Sequence, residues 1–108
     1  MMAVPQDLNA ESFRGEVTAA PGAVLVDFWS QNCSHCREFN PLFEEAAEKG
    51  REGVSFAKVS VQDALDLFRE HRVHAVPTLV LFRDGVEVAR QPGSRPAGEV
   101  LAWLDAQL

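Results

Sequence analysis

Ala23-Val24-Leu25-Val26-Asp27-Phe28-Trp29, then Ser30-Gln31-Asn32, then Cys33-Ser34-His35-Cys36: this run decides the architecture of the chain. Ala23 to Trp29 is almost continuously apolar, the pattern of a strand covered on both faces, and only Asp27 interrupts it. Beyond the cysteines, Phe39, Leu42, Phe43, Ala46 and Ala47 recur at helical spacing. Glu44, Glu45, Glu48 and Lys49 lie mostly on the opposite face. Pro41 predicts a kink in this helix, and the stretch from Gly50 to Gly53 predicts its end. Cys33 therefore stands where a buried-type strand gives way to a helix.

Working outward, Asn9 precedes a short helix over 10–20 as its cap, with Phe13 and Val17 four apart, and Pro21-Gly22 breaks it. The stretch from Val54 to Val61 alternates as a strand. Ala64, Leu65, Leu67 and Phe68 mark a third helix. Thr78 to Phe82 and Val86 to Ala89 flank Asp84-Gly85, a strong hairpin signal. Pro96 opens a last helix whose apolar stripe is Val100, Leu101, Trp103, Leu104 and Leu108. A short strand over 4–8 is weakly signalled. Strands alternating with helices predict an α/β fold with parallel pairing, and the hairpin adds an antiparallel edge.

The 108 residues suffice for a single core, and neither repeat nor linker divides them, so one domain over 1–108 is expected. Hydrophobic residues make up 46% and charged residues 24%, ordinary globular values. Ten Lys and Arg against 16 Asp and Glu give a net charge of −6, which argues against nucleic-acid or anionic-membrane binding. No apolar run approaches the ~20 residues that span a bilayer. Met1 to Asp7 lacks a basic segment and an apolar one, so a cytoplasmic protein is expected.

The chain has 2 cysteines, three positions apart. So short a loop makes a poor structural staple and suits reversible oxidation or metal binding. At a helix start, unpaired N–H groups and the positive dipole end favour a thiolate on Cys33. Cys36, one turn on, is placed to bond with it. His35 offers the thiolate a hydrogen bond or a positive charge. Stabilising the reduced form raises the reduction potential, so this pair is expected to be more oxidising than one with Gly-Pro between its cysteines. Zinc competes poorly, because it normally takes four ligands and only His35, His71 and His74 could join the cysteines. A metal or iron–sulfur site between two chains stays open, as does a binding module whose cysteines are incidental.

Val26-Asp27-Phe28-Trp29, Cys33-Ser34-His35-Cys36 and Pro41 together resemble the active-site block of the thioredoxin family. Val76-Pro77-Thr78 resembles its second signature, a cis-proline facing the cysteines, and Lys58, Asp84-Gly85, Gly93 and the last helix fall at the expected intervals. The resemblance covers nearly the whole chain. It implies the thioredoxin fold: a central mixed sheet, with a parallel core and a C-terminal antiparallel hairpin, flanked by helices on both faces. It also implies thiol–disulfide exchange with protein substrates. Cys33 matches the nucleophile, Cys36 the resolving thiol, and Asp27 the buried carboxylate that takes the proton of Cys36. Burial independently predicts a raised pKa for Asp27, with Lys58 as a structural partner. Pro77 matches the proline that shapes the substrate groove, Val76 the residue whose backbone pairs with substrate, and Trp29 the aromatic beside the redox pair.

The implied partners are disulfide-containing proteins and either a reductase, thioredoxin reductase among the candidates, or a thiol pool. The resemblance implies a monomer without metal or organic cofactor. Three departures stand out. Ser34-His35 replaces the usual Gly-Pro, and Asn32 replaces the commoner Trp. Gln91-Pro92-Gly93-Ser94-Arg95 is bulkier and more polar than the usual rim.

Overall fold

The computed structural model describes residues 4–108. Residues 1–3, part of the opening stretch in which no leader was read, lie outside the described residues. In chain order the elements are β1 (Gln6–Leu8), α1 (Ala10–Phe13) running into a π-helical turn (Arg14–Thr18), β2 (Ala23–Trp29) and α2 (Ser34–Lys49). There follow β3 (Val54–Ser60), α3 (Val61–Glu70), β4 (Thr78–Arg83), β5 (Val86–Pro92) and α4 (Ala97–Gln107). The five strands form one sheet in the order β1-β3-β2-β4-β5. β1 and β2 pair with β3 in parallel, and β2–β4 and β4–β5 are antiparallel. This is the mixed sheet expected from the sequence, and the weakly signalled first strand is present.

Strand alternation divides the core in two. Val24, Val26 and Phe28 of β2 pack with Phe13, Val17, Leu67 and Phe68 under α1 and α3. Ala23 and Leu25 pack with Phe39, Phe43, Val100 and Leu104 under α2 and α4. By the same alternation Asp27 and Trp29 point toward the α2 side. In the parallel β2–β3 register Asp27 stands beside Lys58. The sequence period thus delivers the only charged residue of β2 to the underside of the cysteine helix.

Local chemistry explains the element ends. The Asn9 carboxamide accepts from the Ser12 amide at 2.8 Å and the Ser12 hydroxyl accepts from the Asn9 amide at 2.9 Å. Such a reciprocal cap contributes about 1 kcal/mol. The first helix then widens rather than continuing regularly: the Ala19 amide donates to the Arg14 carbonyl at 2.8 Å. Gly85 explains part of the fit at that end, since a Cβ there would collide with the Thr18 carbonyl. Helix α2 continues through Pro41 to Lys49, so the bond Pro41 cannot make to the Arg37 carbonyl does not end it.

Three boundaries differ from expectation. Helix α3 starts at Val61, because the Ser60 hydroxyl accepts from the Asp63 amide at 3.3 Å, and it bends at Ala64 (φ −155°, ψ 50°). β5 runs on to Pro92, held by pairing with β4 rather than by its own pattern. Pro96 caps α4 from one position outside it, its carbonyl accepting from Glu99 and Val100 at 3.0 and 3.1 Å. Among the described residues no helix is long and apolar enough to cross a membrane.

Candidate redox site at the start of the second helix

Cys33 occupies the N-cap of α2 in an extended conformation (φ −116°, ψ 117°). Its Sγ accepts a hydrogen bond from the Cys36 amide at 3.1 Å, taking the place a Ser or Asp oxygen usually fills. Its thiol also lies 3.8 Å from the Val76 carbonyl, toward which it donates. Cys33 is half-buried, whereas Cys36 is fully buried. Both are free thiols.

The loop entering the helix is held from α3. Gln62 accepts from the Gln31 amide at 3.1 Å and donates to the Ser30 hydroxyl at 3.0 Å. Sequence reasoning missed Gln62, because a polar residue on a helix surface gives no sign of a partner 31 positions away.

Below the cysteines, Asp27 is completely buried, and neither of its carboxylate oxygens has a hydrogen-bond partner. Burial pushes its pKa up to about 7, and the nearby Lys58 ammonium draws it back only in part. Lys58 is itself buried and lies over Trp29, with Nζ 4.8 Å from the ring centre. Cys36 is pushed up to about 12, first by burial and then by the hydrogen bond and charge of Cys33; Asp27 adds a smaller push. The Ser30 backbone opposes these effects. A buried carboxylate with no partner is a high-energy group, and such groups concentrate where protons are moved.

The Val76–Pro77 peptide bond is cis. The Thr78 hydroxyl donates to the Ala75 carbonyl at 2.6 Å, and the Gly93 amide donates to the Pro77 carbonyl at 2.8 Å. Gly93 makes that bond at φ +95°, a conformation that favours glycine. Two grooves flank Val76. One, of about 560 Å³, includes His35, Glu38, Leu42, Pro77, Gly93 and Arg95 in its walls. The other, of about 340 Å³, includes Ser30, Leu65, Phe68, Arg69 and His74.

The structure thus brings Cys33, Cys36, Asp27, Lys58, Val76, Pro77 and Gly93 together. Two expected residues sit differently. The His35 imidazole is 76% exposed and faces Glu38 at 3.9 Å, so it makes no hydrogen bond to Cys33. His35 is two positions beyond Cys33, about 200° around the axis at 3.6 residues per turn, so its side chain leaves from the face opposite the capping sulfur. Trp29 lines neither groove; the Lys58 ammonium lies over its ring, and its indole nitrogen is buried without a partner. Among the described residues no group of three or more His, Cys, Asp or Glu side chains is placed to hold a metal ion.

Comparison with known proteins agrees with this geometry. The family model described as thioredoxin matches residues 4–106. Thioredoxin C-2 of Corynebacterium nephridii is 32% identical over 108 residues, covering 100% of both chains. The thioredoxin of Coprinus comatus is 34% identical over 89 residues, covering 82% of this chain and 83% of its own. Among solved structures, the thioredoxin of Malassezia sympodialis superposes with a TM-score of 0.85 at 27% identity, over 97% of this chain and 91% of that one. With sequence match and backbone agreement running almost from end to end, the chain belongs to the thioredoxin family.

Proposed function

We propose that this thiol–disulfide oxidoreductase works with Cys33 as its nucleophile, Cys36 as its resolving thiol and Asp27 as the acceptor of the Cys36 proton. One observation carries the division of labour: Cys33 is half-buried beside the Val76 carbonyl, while Cys36 is fully buried above Asp27. Only the first sulfur can meet a substrate disulfide.

The exchange balances without a cofactor. The Cys33 thiolate attacks one sulfur of the substrate disulfide, that bond breaks, and the other sulfur leaves as a thiolate that takes a proton from solvent. Cys36 then loses its proton to Asp27 and attacks Cys33 Sγ, and the second substrate sulfur departs. The substrate gains two electrons and the Cys33–Cys36 pair loses two. The high pKa of Cys36 fits this order. Part of it comes from the hydrogen bond and charge of Cys33. Both disappear once Cys33 is bonded to substrate, so the resolving thiol is released when it is needed.

Substrate lies along Val76 and Pro77, its backbone pairing with that of Val76. Disulfide-containing proteins are the substrates, and a reductase such as thioredoxin reductase, or a thiol pool, returns the pair to the dithiol. With no bond to Cys33, His35 reaches the redox pair only across solvent. We still place the pair above Gly-Pro centres in potential, because an imidazole in the first turn, when protonated, favours the thiolate. Equilibration against glutathione tests this; a potential as low as about −270 mV would exclude it.

The direct test of the roles is trapping. Cys36→Ser should accumulate a disulfide between Cys33 and a substrate cysteine, and Cys33→Ser should accumulate none. Equal partner capture by a variant lacking both cysteines would favour a binding module instead.

A further inference from the structure

The chain carries 16 acidic against 10 basic residues. Around Val76 the balance is reversed. The two flanking grooves carry two arginines, Arg95 and Arg69, against a single carboxylate, Glu38. Neither arginine has a carboxylate within ion-pair distance among the described residues, where the pairs are His35–Glu38, Lys49–Glu45, Arg51–Asp105 and Arg90–Glu87.

Arg95 is the more informative of the two. Its Nη2 donates to the Pro92 carbonyl at 3.0 Å, which ties the guanidinium to the rim of the groove. Its Nε is buried with no hydrogen-bond partner. A guanidinium presents five donors in a fork that matches a carboxylate; the buried Nε is closed to a ligand, but Nη1 makes no hydrogen bond and is left for an acceptor in the groove. Glu38 does not supply it, being 68% exposed and turned to His35. Arg95 shares its groove with Val76 and Pro77, along which the substrate segment is placed above.

Resting on that placement, we infer that Arg95 selects disulfides carried on acidic segments. A substrate Asp or Glu close to the disulfide takes the Arg95 guanidinium while its backbone lies along Val76. Arg69 extends the same preference to the other flank of Val76, where no carboxylate lines the groove. The departure of Gln91 to Arg95 from a small apolar rim then has a physical use. It puts a fixed positive charge in the groove beside Val76 and Pro77, in a chain whose net charge of −6 otherwise repels acidic partners.

The test uses the reduced full-length protein and three peptide disulfides of one length, flanked by Glu, by Lys or by neutral residues. The Glu peptide should exceed the Lys peptide in kcat/KM by roughly tenfold at low salt, as expected for steering by a few charges. The ratio should shrink as salt rises from about 0.01 to about 1 M, where the Debye length falls from about 30 to about 3 Å. Arg95→Ala should lower the ratio several-fold through KM, Arg95→Lys should restore part of it, and Arg95→Glu should lower it furthest. A ratio near one in the unmodified protein, or a ratio that Arg95→Ala and Arg95→Glu leave unmoved, overturns the inference. If the neutral peptide is reduced in those same experiments, the redox assignment survives the loss. If none of the three peptides is reduced, the redox assignment fails and the inference with it.

Discussion

Strand β2 serves two cores, and they are built to different ends. Toward α1 and α3 it sends Val24, Val26 and Phe28 into a cluster where Phe28 meets Phe13 and Phe68 edge to face, at 6.3 and 5.1 Å between ring centres. Toward α2 and α4 it sends Leu25 and then Asp27, a carboxylate without a hydrogen bond. Alternate residues of one strand therefore do opposite things. Phe28 removes apolar surface from water, worth about 2–3 kcal/mol. Asp27 brings a group whose charged form is penalised by the same burial. The contrast shows that the thermodynamic weakness of this fold lies at its buried carboxylate and is offset one residue away.

Four substitutions bear on that contrast. The largest effect belongs to the chemical face. Cys33→Ser should cut disulfide reduction at least about a thousandfold, because no other sulfur reaches substrate, while leaving the melting temperature of the reduced protein within a few degrees. Equal rates for the two proteins would remove the basis for calling that face catalytic.

Next comes the dry face. Phe28→Ala should cost about 3–5 kcal/mol in urea unfolding, through lost burial and the cavity left among Phe13, Phe68 and Phe82. A loss under about 1 kcal/mol would mean that the two faces differ less than their composition suggests.

Asp27 sharpens the comparison through pH. Its folded-state pKa, about 7, stands above the ordinary value of 3.8, so the native state holds the proton more tightly than the unfolded chain. Stability from this group is complete below the ordinary carboxylate value and is lost as pH rises through about 7. Asp27→Asn should therefore gain on the unmodified protein by on the order of 4 kcal/mol between acid and mildly alkaline conditions. The same variant should slow resolution of the mixed disulfide. A stability difference flat across that range would show that Asp27 is not held protonated by burial.

The smallest effect is that of His35. Because its side chain is 76% exposed and turned to Glu38, His35→Ala should lower the reduction potential by no more than about 30 mV in a glutathione equilibration. A larger drop would mean that the imidazole reaches Cys33 in the reduced protein.

Much of this could be read from residue order. The apolar run around Asp27, the spacing of Cys33 and Cys36, the helical repeat from Phe39 to Ala47 and the Asp84-Gly85 turn are local patterns, and each maps onto the element expected. Other features could not be read that way. The bend at Ala64, the extension of β5 to Pro92 and the clamp of Gln62 on the Cys33 loop depend on neighbours distant in the chain. His35 shows the limit from the other side. Its place in the motif suggested a contact with Cys33, and the direction in which a helix projects its side chains decided against it.

Sequence alone determined the order of strands and helices along the chain, and that Cys33 of a redox-competent pair would stand at the start of one of those helices. Periodicity and capping act over a few residues and leave their mark in order along the chain. Only the tertiary structure decided that Lys58 would stand beside Asp27, that Val76 would offer its carbonyl to Cys33, and that Arg95 would line the same groove without a carboxylate. Those are matters of register and packing between segments tens of residues apart. Burial, which sets the protonation of Asp27 and Cys36, exists only once those segments have met.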